Sequence, residues 1–592
     1  MHKDAVSNWP APTNADLGFT GFRGIPRDKA ARVCLWFGEV AQVPGGEVAL
    51  NAKQFLALGW TSIRGWVRPN LVYVREHRLW TLWFLAAGIG LGTSLAAVLF
   101  REAIAIVQWP WLGTMSENIA SAARALDWWM VLLVPGLGGL IVGLLLTAIQ
   151  PGRRAGGVAD VIEAKLDPSR ALPFTPGLSS AAITALGLGF GASAGREGPV
   201  VHLGATLAAT LGRAFNLPPS AQRTLLACGV AGAVSASFNA PIAGVLFAHE
   251  VILGHYAISA FVPIVIASVT GTLLSRIYFG DIAAFSIPAY QITSYWEFPA
   301  FALLGIVCAL VAIIFQFALI GTDFVARNVR MPLWMRPAIG GLLVGAIALW
   351  FPQVLGVGYQ PTDLALRNQL PLDLLFMLLI AKTAATAITL ASRFGGGIFS
   401  PSLYLGAMAG GAFGLIAGGV FPEMASSEGL YAILGMGAVA AAVLGAPVST
   451  TMIIFELTGG YALSLALLLT VSIANGISQA VHGRSYFHWQ LEARGIAVSD
   501  GPHAQLMRQI RVRAFMDRLD GDDPPEVTED MPFLTAEDTL EHALRLFDEH
   551  GTSRLPVIES KLTMKVTGHA LQVRALRHFN EALIDTSVEE HR

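Results

Sequence analysis

Charge is what this sequence has least of. Asp, Glu, Lys and Arg make up 14% of its 592 residues, against about 25% in ordinary soluble domains. The shortage is local. Residues 1–80 carry 16 charged side chains and residues 494–592 carry 30, which leaves 34 for the 413 residues between them, 17 of each sign. Such a stretch cannot clothe a water-facing surface, but it can form helices that face lipid. Net charge is −2, so nothing suggests a nucleic-acid surface. The three cysteines, Cys34, Cys228 and Cys308, are far apart and form no CxxC; neither a disulfide framework nor a metal cluster is expected. The N-terminus has no short apolar core of the secretory type, and no cleaved leader is expected.

Apolar length and glycine are abundant instead. Six runs, near 79–107, 128–149, 258–280, 298–322, 372–392 and 461–482, are long enough to cross about 30 Å of hydrocarbon as helices. Shorter apolar pieces (178–192, 199–212, 223–236, 241–254, 402–419, 430–444 and 447–458) are separated by Gly or Pro. Half-helices that meet inside a membrane fit them, because irregular backbone is tolerated at that depth only around an enclosed cavity. Residues 1–70 read as a loop-rich extension with one short amphipathic helix near 50–60.

An internal repeat supports the cavity. GREGPVVHLGATLAATLG (195–212) aligns without gaps to GIFSPSLYLGAMAGGAFG (397–414), and FNAPIAGVLFAHE (238–250) to LGAPVSTTMIIFE (444–456), with Glu250 against Glu456. The offsets, 202 and 206, differ by one small insertion. Each half presents a Gly-rich turn and a proline ahead of an apolar helix, at 195–199 and 395–401. Pro costs nothing in a first turn, and the free N–H groups there, with the helix dipole, form an anion site without a positive side chain. AGGVAD (155–160) is a third candidate turn. Two competing features need weighing. GASAG (191–195) matches a GxSxG nucleophile elbow, which would make Ser193 the nucleophile of an intramembrane hydrolase, yet it lies in a helical run rather than after a strand. GGLIVG (138–143) contains a GxxxG spacing, read as close helix packing.

GREGP, GGIFSP, FNAPIAGVLF (238–247) and SYFHWQLEARGI (485–496) together resemble the CLC chloride channel and transporter family over about residues 75–500. The resemblance implies an all-α polytopic membrane protein with tilted, broken helices, two inverted halves (about 75–285 and 295–495) after an extension at 1–74, and a homodimer in a plasma or inner membrane with cytosolic termini. It implies transport of chloride or another small anion, with Glu197 as the gating carboxylate. The backbone of Arg196, Glu197, Gly198, Ile398 and Phe399 would hold the anion, together with the positions of Gly156, Gly157 and Phe487. Three positions depart from the family pattern. Gly156 replaces a serine that donates its hydroxyl. Phe487, preceded by Tyr486, replaces a tyrosine. Val251 stands where proton-coupled members carry a glutamate, beside Glu250. Valine cannot relay protons, so a gated channel is expected, with a proton-coupled antiporter as the alternative.

Lys382, inside an apolar run, either draws anions or pairs structurally. His202 and His249 read as hydrogen-bonded core histidines, and Glu428 as a loop residue. After about 505 the pattern is soluble. VRAFMD (512–517), DTLEHALRLFDEHGTSRLPVIE (538–559) and VTGHALQVRALRHFNEAL (566–583) resemble a single degenerate CBS domain over 505–583, with 584–592 as a tail. A lone unit leaves an apolar pairing face for a second subunit; the alternative is a vestigial tail that aids assembly only. No cofactor is expected there, adenine nucleotide included.

Overall fold

The structure, a computed structural model, describes residues 79–591 except 168–171, 281–284, 286–291, 293, 424, 459–462, 497–506, 508–509, 520–530 and 561–563. Cys34 and the helix expected near 50–60 lie outside the described residues. Among the described residues, seven helices are long and apolar enough to span a membrane: Leu79–Leu112, Trp128–Ile149, Ile258–Phe279, Tyr295–Asn328, Leu372–Ala391, Phe399–Val420 and Ser464–Glu492. Phe399–Val420 is one more than the sequence indicates. Its first turn takes in Phe399, Ser400 and Pro401, because a proline at that point costs no hydrogen bond, and the helix gains the length to cross.

Small residues let these helices approach closely. A Cβ on Gly139 would lie 2.0 Å from the Pro337 carbonyl oxygen, and one on Gly143 would lie 2.0 Å from that of Trp334. The GxxxG face therefore receives the Met335–Trp350 helix of the same chain. Cys228 and Cys308 are buried free thiols.

The second repeat match solves a problem of unpaired helix ends. Pro241 and Pro447 open the helices Pro241–Phe247 and Pro447–Thr458, and the next two N–H groups of each need acceptors that lipid cannot supply. Glu456 takes the Ile242 and Ala243 N–H groups at 3.0 and 2.7 Å. Glu250 takes those of Val448 and Ser449 at the same two distances. Each repeat thus caps the other, and Glu250 is spent on backbone. Val251 lies beside it on a π-helical turn, Ala248–Leu253.

The C-terminal unit is a small α/β fold. Strands β1 (Met516–Arg518), β2 (Leu534–Thr535), β3 (Arg554–Ile558) and β4 (Val566–Leu571) lie in the order β1-β4-β3-β2, with only β2–β3 parallel. The helix Leu540–His550 buries Leu540, Ala543 and Phe547 against Val557 and Phe515, as its periodicity requires. Thr539 caps it by accepting the His542 N–H. The last helix, Gln572–His591, continues into the tail. One expectation fails elsewhere in the chain. Glu428 opens the helix Glu428–Leu444, where its charge meets the positive helix end, so it is not a loop residue.

The reciprocal caps carry a test. Glu250→Ala strands two N–H groups and is expected to cost about 2 kcal/mol, read as a lower thermal midpoint of the detergent-solubilised protein. Glu250→Gln, which keeps one acceptor, should lose less. Equal midpoints for all three proteins would refute the capping role.

Candidate functional site

The two turns singled out by the repeat meet. Gly195 donates its N–H to the Gly397 carbonyl and Gly397 donates to the Gly195 carbonyl, both at 2.7 Å. From this two-residue bridge start the helices Glu197–Ala214 and Phe399–Val420. Their amino ends, with Pro199 and Pro401 in the first turns, converge on one place. Gly396 enters the bridge with φ +123°, a conformation only glycine adopts readily.

Glu197 sits at that place and is 2% exposed. Its Oε1 accepts the Ser400 hydroxyl at 2.6 Å and the Tyr359 hydroxyl at 3.1 Å. Its Oε2 is buried and has no partner among the described residues. The carboxylate folds back over Gly195: a Cβ there would lie 2.7 Å from Oε2, so only glycine leaves it room. Tyr359 is steadied from its other side by the Arg196 guanidinium, 4.6 Å from the ring centre. Arg196 in turn donates to Glu117 at 2.6 Å, and Glu117 also pairs with Arg101 at 3.1 Å.

Two cavities flank this contact. The first, about 190 Å³, is lined by Gly156, Gly157, Glu197 and Gly198, by Ile398 and Phe399, and by Tyr486 and Phe487. The second, about 430 Å³, is lined by Arg101, Glu117, Arg196, Gly358 and Tyr359. The residues singled out in the sequence therefore gather around the first cavity, except Arg196, which faces the second. Val251 lines neither.

One expectation needs correction. AGGVAD does not offer free amides at its glycines: the Gly156 N–H donates to Ser180 Oγ at 2.7 Å and the Gly157 N–H to Asp160 Oδ2 at 2.8 Å. Asp160 is already the anion at that helix end. It also accepts from Arg154 and, at 3.0 Å, from Arg494, which ties the Val158–Leu166 helix to the segment after Tyr486–Glu492. Gly156 and Gly157 shape the cavity without donating to it.

Lys382 takes the structural option. It is fully buried, and its Nζ donates to the Val354 and Gly356 carbonyls at 3.0 and 2.9 Å, which fixes the turn leading to Tyr359. His249 bonds the His255 carbonyl at 3.0 Å through Nδ1 and stacks on Tyr256. Ser193 is fully buried, with its hydroxyl 3.4 Å from that of Thr386; among the described residues no histidine reaches it.

Sequence reading missed Ser400, Tyr359 and Glu117. Ser400 stood inside a quoted motif. Tyr359 was within reach of the repeat: at the offset of 202, Gly156 and Gly157 correspond to Gly358 and Tyr359. Glu117 lies in an unpatterned loop and carried no signal.

A family model described as "Voltage gated chloride channel" matches residues 138–479. The ClcB-like chloride channel protein of Ralstonia nicotianae is 33% identical over 389 residues, 65% of this chain and 90% of that one. The voltage-gated ClC-type chloride channel ClcB of an Escherichia coli strain is 29% identical over 408 residues, covering 68% and 97%. The Arabidopsis thaliana chloride channel protein CLC-e is 33% identical over 421 residues, and that match covers only 58% of its length. Among solved structures, a slow cyanobacterial Cl−/H+ antiporter shares the fold with TM-score 0.62 at 24% identity, covering 70% of this chain and 97% of that one. A fluoride/proton antiporter does so with TM-score 0.58 at 23%, covering 68% and 96%. Matched across its apolar region and folded around two clasped helix ends, the chain belongs to the voltage-gated chloride channel (CLC) family and is a multi-pass membrane protein of anion transport.

Proposed function

We propose that chloride or a similar small anion crosses by way of the first and second cavities, and that Glu197 gates the passage between them. The observation that carries this reading is Glu197 itself: a buried carboxylate at two converging helix ends, with one oxygen held by hydroxyls and the other without a partner. It occupies, as a tethered anion, the kind of site a permeant anion would take. The backbone N–H groups of Arg196, Glu197 and Gly198, with those of Ile398 and Phe399, are its proposed contacts. Phe487 and Gly156 bring no side-chain donor, so backbone dominates.

The passage works as a passive channel, because Val251 has no proton to exchange and Glu250 is occupied in capping a helix. An observation favours the antiporter as a second reading. His249, two residues from Val251, keeps a buried Nε2 that has no partner among the described residues and could carry a proton in its place. The protein acts as a homodimer in a plasma or inner membrane with its termini in the cytosol, and the C-terminal unit acts as a CBS-like pairing module without bound nucleotide.

Two outcomes are expected in liposomes. A carboxylate at a partly buried helix end gains up to about 2 kcal/mol from the dipole, roughly thirtyfold in occupancy. Protonation removes that competitor, so anion flux rises as external pH falls, and Glu197→Gln conducts at neutral pH as the parent does in acid. If Glu197→Gln keeps the parent flux and the parent pH response, the gate lies elsewhere. In the second assay a chloride gradient is imposed and external pH is followed. The channel reading expects no uphill proton movement; proton pumping at a fixed ratio that disappears in His249→Ala would establish the antiporter instead.

A further inference from the structure

We propose that His202 is a side-chain ligand of the anion held in the first cavity, presenting a ring N–H past Gly156. The inference rests on the reading of that cavity as an anion pathway, and supplies the side-chain donor that Gly156 and Phe487 lack.

His202 lies five residues after Glu197 on the same helix and is 7% exposed. Its carbonyl accepts the Thr206 hydroxyl at 2.8 Å, but among the described residues neither ring nitrogen makes a hydrogen bond. A polar ring edge without a protein partner calls for an explanation, a water or a bound ion among them. The ring has a definite aim. A Cβ on Gly156 would lie 2.4 Å from Nε2 and 2.5 Å from Cε1, so the polar edge abuts a residue that lines the cavity, and fills the space where a side chain at 156 would begin. Only glycine admits the imidazole there.

The neighbours leave it available. The charged groups that act on the ring are Asp160 and Arg154, and these are paired with each other. Asp160 is further committed to the Gly157 N–H and to Arg494, while the Gly156 N–H is held by Ser180. The wall of the cavity at this point therefore offers no backbone donor from Gly156 or Gly157. The imidazole is the polar group behind it, and in the tautomer with hydrogen on Nε2 it donates to an anion.

The other repeat shows that this is more than ring-on-glycine packing. At the offset of 202, Gly156 and His202 correspond to Gly358 and Tyr404. There a Cβ on the glycine would meet ring carbon, Cδ2 at 2.6 Å, and the ring lies under Lys382, 5.2 Å away. The same steric fit is used twice, but a polar edge is turned to the glycine only at His202.

The test is chloride binding to the purified protein in detergent, by titration calorimetry, with nitrate-over-chloride selectivity in liposomes as a second readout. His202→Leu fills similar volume without a donor and is expected to weaken chloride binding about tenfold and to shift selectivity toward nitrate. His202→Gln restores a donor and should stay within about threefold of the parent. A packing role predicts instead that Leu and Gln weaken binding equally, or that neither does; either result overturns the proposal. Where the Leu variant is not monodisperse, His202→Asn replaces it: its amide is one methylene shorter, cannot reach the cavity, and should match the expected tenfold loss, whereas parent-like affinity would overturn the proposal. Failure of the underlying reading shows itself separately, as Glu197→Gln without a gain in flux while His202 is intact, and it takes this inference with it.

Discussion

Two backbone hydrogen bonds between Gly195 and Gly397 determine where the rest of the pathway sits. They close a bridge one residue long on each side, and from it two helices start with their amino ends toward the same point. Each end carries about half a positive charge, spread over N–H groups the helix does not use. Attraction for an anion is thereby built largely from fixed dipoles, while the nearby Arg196 guanidinium is turned to Glu117. The buried amine of Lys382 is spent on two carbonyls, where it holds the turn that delivers Tyr359.

Glutamate plays two different parts in this chain, and the difference lies in its hydrogen bonds. Glu250 and Glu456 each engage both carboxylate oxygens with backbone N–H groups of the opposite repeat. Backbone donors cannot rotate away, so these carboxylates are locked. Glu197 engages a single oxygen, and with hydroxyls, which can turn to other acceptors. Its second oxygen is unclaimed among the described residues. A carboxylate held by rotatable donors through one oxygen can leave; one held by two rigid donors cannot. Residue type and burial alone would not separate these roles.

Much of this is legible in the sequence. Low charge and apolar runs gave the membrane class, the repeat gave the two halves, and GREGP with GGIFSP gave the turns that meet. The alignment of Glu250 with Glu456 was visible, but not that each reaches across to the other, because repeat similarity carries no information about which copy a side chain touches. The glycines of AGGVAD read as free donors, and Asp160 and Ser180 occupy them; a pattern of glycines shows that backbone can be exposed, not that it stays unpaired. Tyr359 needed the repeat followed beyond its obvious matches, into a segment where the two copies share one glycine. Glu117 reaches Arg196 through a contact 79 positions away in sequence, and no local pattern marks it.

The mismatch of Gly157 with Tyr359 gives the molecule an orientation. Two inverted halves arranged about a shared centre would make a passage that reads the same from either membrane face. At this pair the symmetry ends. On one side a bare glycine faces open space, with no atom within 4 Å of a would-be Cβ; on the other an aromatic ring stands against the carboxylate. One side presents a width set by backbone, and the other a hydroxyl and a stacked guanidinium. Divergence between the duplicated segments, at this pair as at His202 and Tyr404, is enough to tell front from back.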